Sequence, residues 1–466
     1  MANSSAPTVA HAPSSDETQV YSRIGWRIFP LVLLGYIFAY LDRINIGFAA
    51  LQMKSDLGFT DAVYGLGAGI FFASYLAFEI QSNLLLQRVG ARRTLARIMI
   101  CWGATSSCMM FVRTPGMFYA LRVLLGMFEA GLTPGVVFYL TLWYPKQRLA
   151  RVTALFLSGS IIAGLFGAPI SGFILDAISG THGLRGWQWL FLIEGLPSVL
   201  LGLVCLRMLP DGPNQARWLS DDERRIVIAG ASGGNRRGRG GLGGAFRDPN
   251  VYAIAFGWFT IICGTYVISF WLPLMLRHAG VGTASAIGLW SIIPYGLGAV
   301  GMLLLSRHSD RTLERRWHAT GCALMGAVAL GSLSFVWSNL PLALLSLSVA
   351  TISVFSAMPI LFSVPMTLLP RSSAPGGIAL INSVGQIGGF LSPFIIGWVK
   401  TTTGRFDIGL YIMAALLVSG AAVIAFVVRT NPDASSEHAG DRSSGTDARP
   451  SPEREGSAQR RCGSFK

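Results

Sequence analysis

Charge is what this 466-residue chain has least of: 13% of its residues are Asp, Glu, Lys or Arg, against 52% hydrophobic. A water-soluble protein of this length covers its surface with polar side chains, and this one has too few to do so. In lipid no such cover is needed, provided every backbone group is bonded internally. Cysteine pairs are also missing. Cys101, Cys108, Cys205, Cys263, Cys322 and Cys462 are scattered, most of them in apolar runs, and no CxxC occurs, so neither a disulfide framework nor a zinc site is expected. The histidines (His11, His182, His278, His308, His318, His438) fall in tails and loops without metal-ligand spacing. No nucleophile motif stands out, and a membrane enzyme is therefore not expected. The polar, Ser/Thr/Pro-rich opening, Met1 to about Val20, has no apolar core and does not read as a cleaved signal peptide.

Long apolar runs are what the chain does have. A bilayer core about 30 Å thick takes about 20 apolar residues per helix, and about twelve such stretches can be read. They begin near Ile28, Ala62, Leu95, Met117, Val152, Trp187, Val251, Ala284, Thr320, Leu342, Gly376 and Ile408. The fold class is an all-α membrane protein, with twelve transmembrane helices in two six-helix halves. The expected organisation is a polar N-terminal tail (1–24), a first half (25–209), a polar linker (210–249), a second half (250–430) and a disordered C-terminal tail (431–466). The linker contains GGNRRGRGGLGG, but no Lys-Ser or Lys-Thr follows to make a phosphate loop. Gly65, Gly67 and Gly69 lie inside an apolar helix, where small residues let helices pack closely.

The net charge of +14 does not indicate nucleic acid. Basic residues gather in alternate loops: Arg88, Arg92, Arg93 and Arg97; Lys146, Arg148 and Arg151; the linker; then Arg307, Arg311, Arg315 and Arg316. The positive-inside rule makes those loops cytoplasmic, together with both termini, in a cell inner membrane. The loop QRVGARR after the second helix and DRTLERR after the eighth occupy corresponding places, a weak internal repeat of the kind transporter halves carry.

A few charges lie at membrane depth: Asp42 and Arg43, Glu79, Arg122 and Glu129, and Glu194. Each costs on the order of 2.5–3.5 kcal/mol on insertion scales unless it is paired or faces water. Arg122 and Glu129 are seven apart, about two turns, and share a helix face; Asp42 and Arg43 point about 100° apart, with Asn45 on a neighbouring face. Two readings stand: closed ion pairs that fix helix register, or a substrate and proton path. In the second half the polar and aromatic candidates are Tyr266, Ser269 and Trp271, then Asn382 and Gln386 one turn apart. The amides suit either a substrate hydroxyl or carboxylate or a helix-to-helix bond, and the aromatics suit packing as readily as binding.

YLDRINIGFA (Tyr40 to Ala49), YGLGAGIFF, RVGARR, LRVLLGMFEAG, GWQWLFLIEGLP and HSDRTLERRWH together resemble the major facilitator superfamily, in its anion:cation symporter branch. That branch includes permeases for phthalate, tartrate, hydroxyphenylacetate and sugar acids, and the likeness runs over roughly Tyr21 to Arg429. Gln87 stands where the superfamily motif usually has Asp, Asn83 and Leu313 where it usually has Gly, and Gln81 where related chains often have Pro. The resemblance implies proton-coupled uptake of a small organic anion by alternating access, with the proton gradient as energy source, no cofactor, no metal and a monomeric carrier. It makes Arg43 and Arg122 the anion or coupling arginines and Asp42 and Glu129 the proton carriers. Tyr40, Asn45, Tyr266, Trp271, Asn382 and Gln386 then become further substrate contacts. Arg88, Arg92, Arg93, Asp310, Arg311, Arg315 and Arg316 become gate residues. Protonating Asp42 or Glu129 is expected to free an arginine for the substrate carboxylate. A sensor that binds an anion without moving it, and a drug or metabolite exporter suggested by Gly159, Gly164, Gly167, Pro169 and Gly172, are the alternatives.

Overall fold

The computed structural model describes residues 15–232, 249–312, 314–368 and 374–427, and all regular structure among them is helical. The first half comprises α1 (Ser15–Leu57), α2 (Asp61–Val89), α3 (Ala91–Cys108), α4 (Pro115–Glu129), α5 (Leu132–Thr141), α6 (Lys146–Leu157), α7 (Gly159–Ala177) and α8 (Gly186–Met208). A linker helix, α9, runs over Asp221–Ser232. The second half comprises α10 (Pro249–His278), α11 (Ala284–Thr312), α12 (Arg316–Val336), α13 (Leu340–Leu368), α14 (Ala374–Thr403) and α15 (Phe406–Phe426).

Among the described residues, 11 helical runs are long and apolar enough to cross a membrane, with α4–α5 and α6–α7 each forming one run. The remaining pass is α3, 18 residues long, whose first two turns carry Arg92, Arg93 and Arg97. The expected twelve passes are therefore present.

Three boundaries differ from the sequence reading. Helix α1 begins at Ser15, inside the expected tail, and it buries Val20, Tyr21 and Ile24. Tyr21 packs on Tyr144, and Arg23 bonds Glu223 of α9 at 2.7 Å, so the extension is held by tertiary contacts its own composition does not announce. The linker is not wholly irregular either. Ser220 and Glu223 form a reciprocal cap, Glu223 N–H donating to Ser220 Oγ (3.2 Å) and Ser220 N–H to a Glu223 carboxylate oxygen (2.9 Å). With Asp221, Asp222 and Glu223 in its first turn, α9 has the acidic start that a helix dipole favours. Finally, the fourth and fifth passes are interrupted. Gly131, at φ +89°, separates α4 from α5 in the left-handed region that glycine enters freely. The GGNRRGRGGLGG stretch, Leu313, His11, His438, Cys462 and the expected C-terminal tail lie outside the described residues.

The halves meet at the end away from the linker. There α2 crosses α14 backbone against backbone: a Cβ placed on Gly65 would lie 2.3 Å from the Pro393 carbonyl oxygen, and one on Gly397 2.3 Å from that of Asp61. The α7–α11 crossing repeats the device, with Gly172 against Ala284 O (2.3 Å) and Gly288 against Ala168 O (2.5 Å). Such small residues are how helices approach closely in lipid, where no hydrophobic force drives them together. Polar bonds join the halves at the same end. Tyr64 Oη donates to Phe270 O (2.7 Å), Arg277 to Leu51 O (2.8 Å), Ala62 N–H to Thr401 Oγ1 (2.8 Å) and Ser285 N–H to Asp176 (2.6 Å). Asp61 receives Lys54 from α1 and, at 3.4 Å, Lys400 from α14.

Candidate functional site

About two-thirds of the way along α1, Arg43 reaches across to Glu129, the last residue of α4. Its Nε lies 3.1 Å from Glu129 Oε1, and Nη2 meets the same oxygen. The Glu129 side chain is 0% exposed, whereas that of Arg43 is 13% exposed. Glu129 Oε2 has no hydrogen-bond partner among the described residues. The guanidinium lies over the rings of Phe71 (5.4 Å) and Tyr75 (5.5 Å), a contact worth about 0.5–2 kcal/mol. From the second half, Tyr266 of α10 is a hydrogen-bond neighbour of Arg43, so the arginine is addressed by both halves. Tyr36 and Tyr40 lie beside it on α1, with Ser160 and Ser269 as their neighbours.

Arg122 shares the site but not the carboxylate contact. It is 1% exposed and bonds the backbone of α2, Nε to Gly67 O (2.9 Å) and Nη2 to Ala68 O (3.3 Å). Its guanidinium stands 5.0 Å from the Phe71 ring, so Phe71 touches both arginines. The close approach of α4 to α2 at Gly126 puts Arg122 there: a Cβ on Gly126 would lie 2.2 Å from Phe71 O.

Asp42, expected to exchange an arginine for a proton, is not paired with one. It accepts from Trp102 Nε1, from Ser106 Oγ (2.5 Å) and from Asn45 Nδ2 (3.1 Å), all neutral donors. It is 1% exposed and turns towards α3, while the next residue, Arg43, turns to Glu129. Glu194 is buried nearby on α8 and accepts from Ser171 (2.7 Å). Glu79 is half-buried at the outer edge of the site, with Arg43 as its charged neighbour.

The second-half candidates divide. Tyr266 packs on Phe72 at 4.4 Å and joins the site. Trp271 does not: it is 0% exposed, edge-on to Tyr64 at 5.1 Å and close to Phe406, inside the closed end. Asn382 and Gln386 are half-buried and make no hydrogen bond among the described residues. They lie on the face of α14 that, one or two turns later, meets α2 at Gly389–Phe72 and Phe390–Gly69. That face is the one opposed to the first half.

The loop candidates are at the linker end. Arg88 and Arg93 are exposed, Arg92 is half-buried, and the Arg92 N–H donates to Asp211 of the linker at 2.8 Å. Asp211 thus caps α3 beside Gly90, in the loop where Gln87 replaces the usual acid. In the other loop Asp310 pairs with Arg315 at 3.2 Å, Arg311 is exposed, and Arg316 bonds Ala425 O of α15 in its own half. Sequence reading missed Asp211, the Lys54–Asp61–Lys400 cluster and the Phe71 and Tyr75 rings beside Arg43. Asp61 and Lys400 are 339 residues apart, and no local pattern joins them.

Similarity to known proteins accords with this arrangement. A protein of Agrobacterium vitis described as "Putative tartrate transporter" is 43% identical over 421 residues, 90% of this chain and 96% of that protein. "Putative metabolite transport protein NicT" of Pseudomonas putida is 42% identical over 88% of this chain and 95% of the relative. A "Quinolone resistance transporter" of Acinetobacter baumannii is 36% identical over 88% and 95%. Among solved structures, a bacterial homolog of the human lysosomal transporter Spinster, inward-facing and occupied, aligns with TM-score 0.73 at 18% identity over 89% of this chain and 98% of that one. A D-xylose-proton symporter aligns with TM-score 0.68 at 16% identity over 87% and 98%. These last two speak for the fold alone. The relatives are transporters, and those named for tartrate and metabolites accord with the anion:cation symporter branch that the motifs resemble. With the sequence profile of the Major Facilitator Superfamily matching residues 32–393, the chain belongs to that superfamily as a multi-pass membrane transporter.

Proposed function

We propose that the protein is a proton-coupled symporter of a bacterial inner membrane that imports a small organic anion, a tartrate-like hydroxy acid first among the candidates. The observation that carries this reading is the Arg43–Glu129 pair, a buried carboxylate holding an arginine that is still partly open. An arginine stays charged and offers a planar fork that matches a carboxylate. Two of its N–H groups go to one Glu129 oxygen, which leaves others for a ligand. Protonating Glu129 weakens its hold on Arg43, and one substrate carboxylate takes its place, so that the proton offsets that carboxylate; the second carboxylate of a tartrate-like dianion needs a second proton to keep the buried charge unchanged. Hydroxyls from Tyr36, Tyr40 and Tyr266, and the unbonded amides Asn382 and Gln386, provide donors and acceptors for a hydroxylated acid. The basic loops support a cytoplasmic linker end, and the contacts between the halves at the opposite end support an inward-open reading of this state. The tartrate-named relatives support the substrate class.

Export is the second reading, favoured by the relative named for quinolone resistance. Counterflow in proteoliposomes tests the proposal, with L-tartrate, phthalate, gluconate and a fluoroquinolone as probes. Exchange of tartrate and its accumulation under an inward proton gradient is the expected result. Exchange of the quinolone alone would overturn it in favour of export.

A further inference from the structure

Glu194 plays no part in the Arg43–Glu129 exchange, yet it is among the most buried acids in the chain, at 3% exposure. Asn45, on α1 and 0% exposed, stands between it and Asp42. Asn45 Nδ2 donates to Asp42 Oδ1 at 3.1 Å, and the same side chain lies beside the Glu194 carboxyl. Glu194 Oε1 accepts from Ser171 Oγ at 2.7 Å, while Glu194 Oε2 and Asn45 Oδ1 are buried and have no hydrogen-bond partner among the described residues.

Among the described residues, the two acids have no cation as a partner. Asp42 faces Trp102 and Ser106 of α3, and the other charges that act on it are Glu129 and, without an ion pair, Arg122, both of α4. Glu194 faces Ser171 of α7, Asn45 and Asp42. Arg43 is committed to Glu129, and Arg122 to α2. Two bare carboxylates in a site of low dielectric, beside one amide and with no ion-pair partner, repel each other and lose their hydration. Groups coupled this closely give up their protons as a pair. The orphaned Glu194 Oε2 is where a proton bound to this pair would sit, since a protonated carboxyl gains a donor that a carboxylate lacks.

We infer that Asp42, Asn45 and Glu194 form a second proton-holding site, distinct from Arg43–Glu129, in which the two acids share a proton across the Asn45 amide. Its coupling to transport rests on the symport reading above; its proton occupancy does not. The site also gives Asn45 a purpose that substrate contact does not supply, because the amide is enclosed, bonds Asp42 and lies beside Glu194.

Infrared difference spectroscopy of the purified, full-length protein, titrated in pH without substrate, reads the protonated carboxyl directly. Wild type is expected to show a carboxylic-acid carbonyl band near neutral pH that Glu194→Gln removes and Asn45→Leu shifts in titration midpoint. A band that survives Glu194→Gln unchanged overturns the inference. If Glu194→Gln does not fold, Asn45→Leu decides alone: an unmoved midpoint overturns the shared proton. A merely structural Glu194 would leave no titrating band to lose. In proteoliposomes loaded with L-tartrate, Glu194→Gln is expected to keep exchange while proton-driven accumulation falls at least tenfold. If wild type carries no tartrate, the symport reading fails, and the infrared result still stands or falls by itself.

Discussion

Arg43 and Glu129, 86 residues apart on α1 and α4, form an ion pair in which the acid is sealed and the base is not. That asymmetry makes different predictions for the two partners. Removing the base from a buried pair leaves an uncompensated acid, whereas neutralising the acid in place leaves the arginine free to bind an anion.

Arg43→Lys is accordingly expected to lower exchange by about 10- to 100-fold, the loss of a charged, two-pronged hydrogen bond worth about 1.5–3 kcal/mol. Glu129→Gln is expected to keep exchange and lose accumulation against a gradient. Counterflow and proton-driven uptake, measured on the same vesicles, check both. Arg43→Lys with wild-type exchange would remove Arg43 from the site, and Glu129→Gln that still concentrates substrate would remove Glu129 from proton coupling.

Arg122 shows how far a sequence can be read. Seven-residue spacing places it on the face of α4 that bears Glu129, and both are buried as that spacing implies. Spacing within one helix says nothing of what lies opposite. Gly126 lets α2 come so near that Arg122 meets the carbonyls of Gly67 and Ala68, while Glu129, two turns on, meets Arg43. The passes themselves were legible because a helix of about 20 apolar residues matches the thickness of a bilayer core. The early start of α1 was not, since Tyr21 and Arg23 are fixed by Tyr144 and Glu223, far away in the chain. The breaks within the fourth and fifth passes were also unseen, although Gly131 and Gly159 mark them.

Gly131 turns the chain two residues beyond Glu129, at φ +89°. In Gly131→Ala a side chain must occupy the left-handed region, at about 1–2 kcal/mol, and its Cβ would lie 2.5 Å from Ser82 Oγ. The expected result is lower thermal stability and weaker uptake as α4 pulls Glu129 from Arg43. Adding Ser82→Gly relieves the contact and should restore part of both, with the backbone strain as the remainder. Full recovery would show that conformation is immaterial at this position.

Asp211 supplies a cap to α3 in a loop that has Gln87 in place of the usual acid. Losing an acidic cap typically costs about 0.5–2 kcal/mol. Asp211→Ala should lower the unfolding temperature in detergent and speed proteolysis of the linker, while Gln87→Ala should do neither. Equal effects from the two substitutions would contradict the assignment of Asp211 as the cap.

At the opposite end, Asp61 binds Lys54 in its own half and Lys400 in the other, and of these two ion pairs the one to Lys400, at 3.4 Å, adds to the contacts that resist separation of the halves. The three side chains are partly exposed, so an ion pair here is worth about 0.2–1 kcal/mol. Lys400→Met should therefore shift the population towards the state open at this end by only about 1.4- to 5-fold, and Lys54→Met should not shift it. Gly397→Val should act more strongly, because its Cβ would lie 2.3 Å from the Asp61 carbonyl oxygen and α2 cannot yield without moving the whole crossing. Spin labels on cysteines at the exposed positions Ser55 and Thr402 give the separation directly. A longer-distance population that grows in the order wild type, Lys400→Met, Gly397→Val is the expected outcome. An unchanged distribution in Gly397→Val would mean that the α2–α14 contact does not hold this end shut.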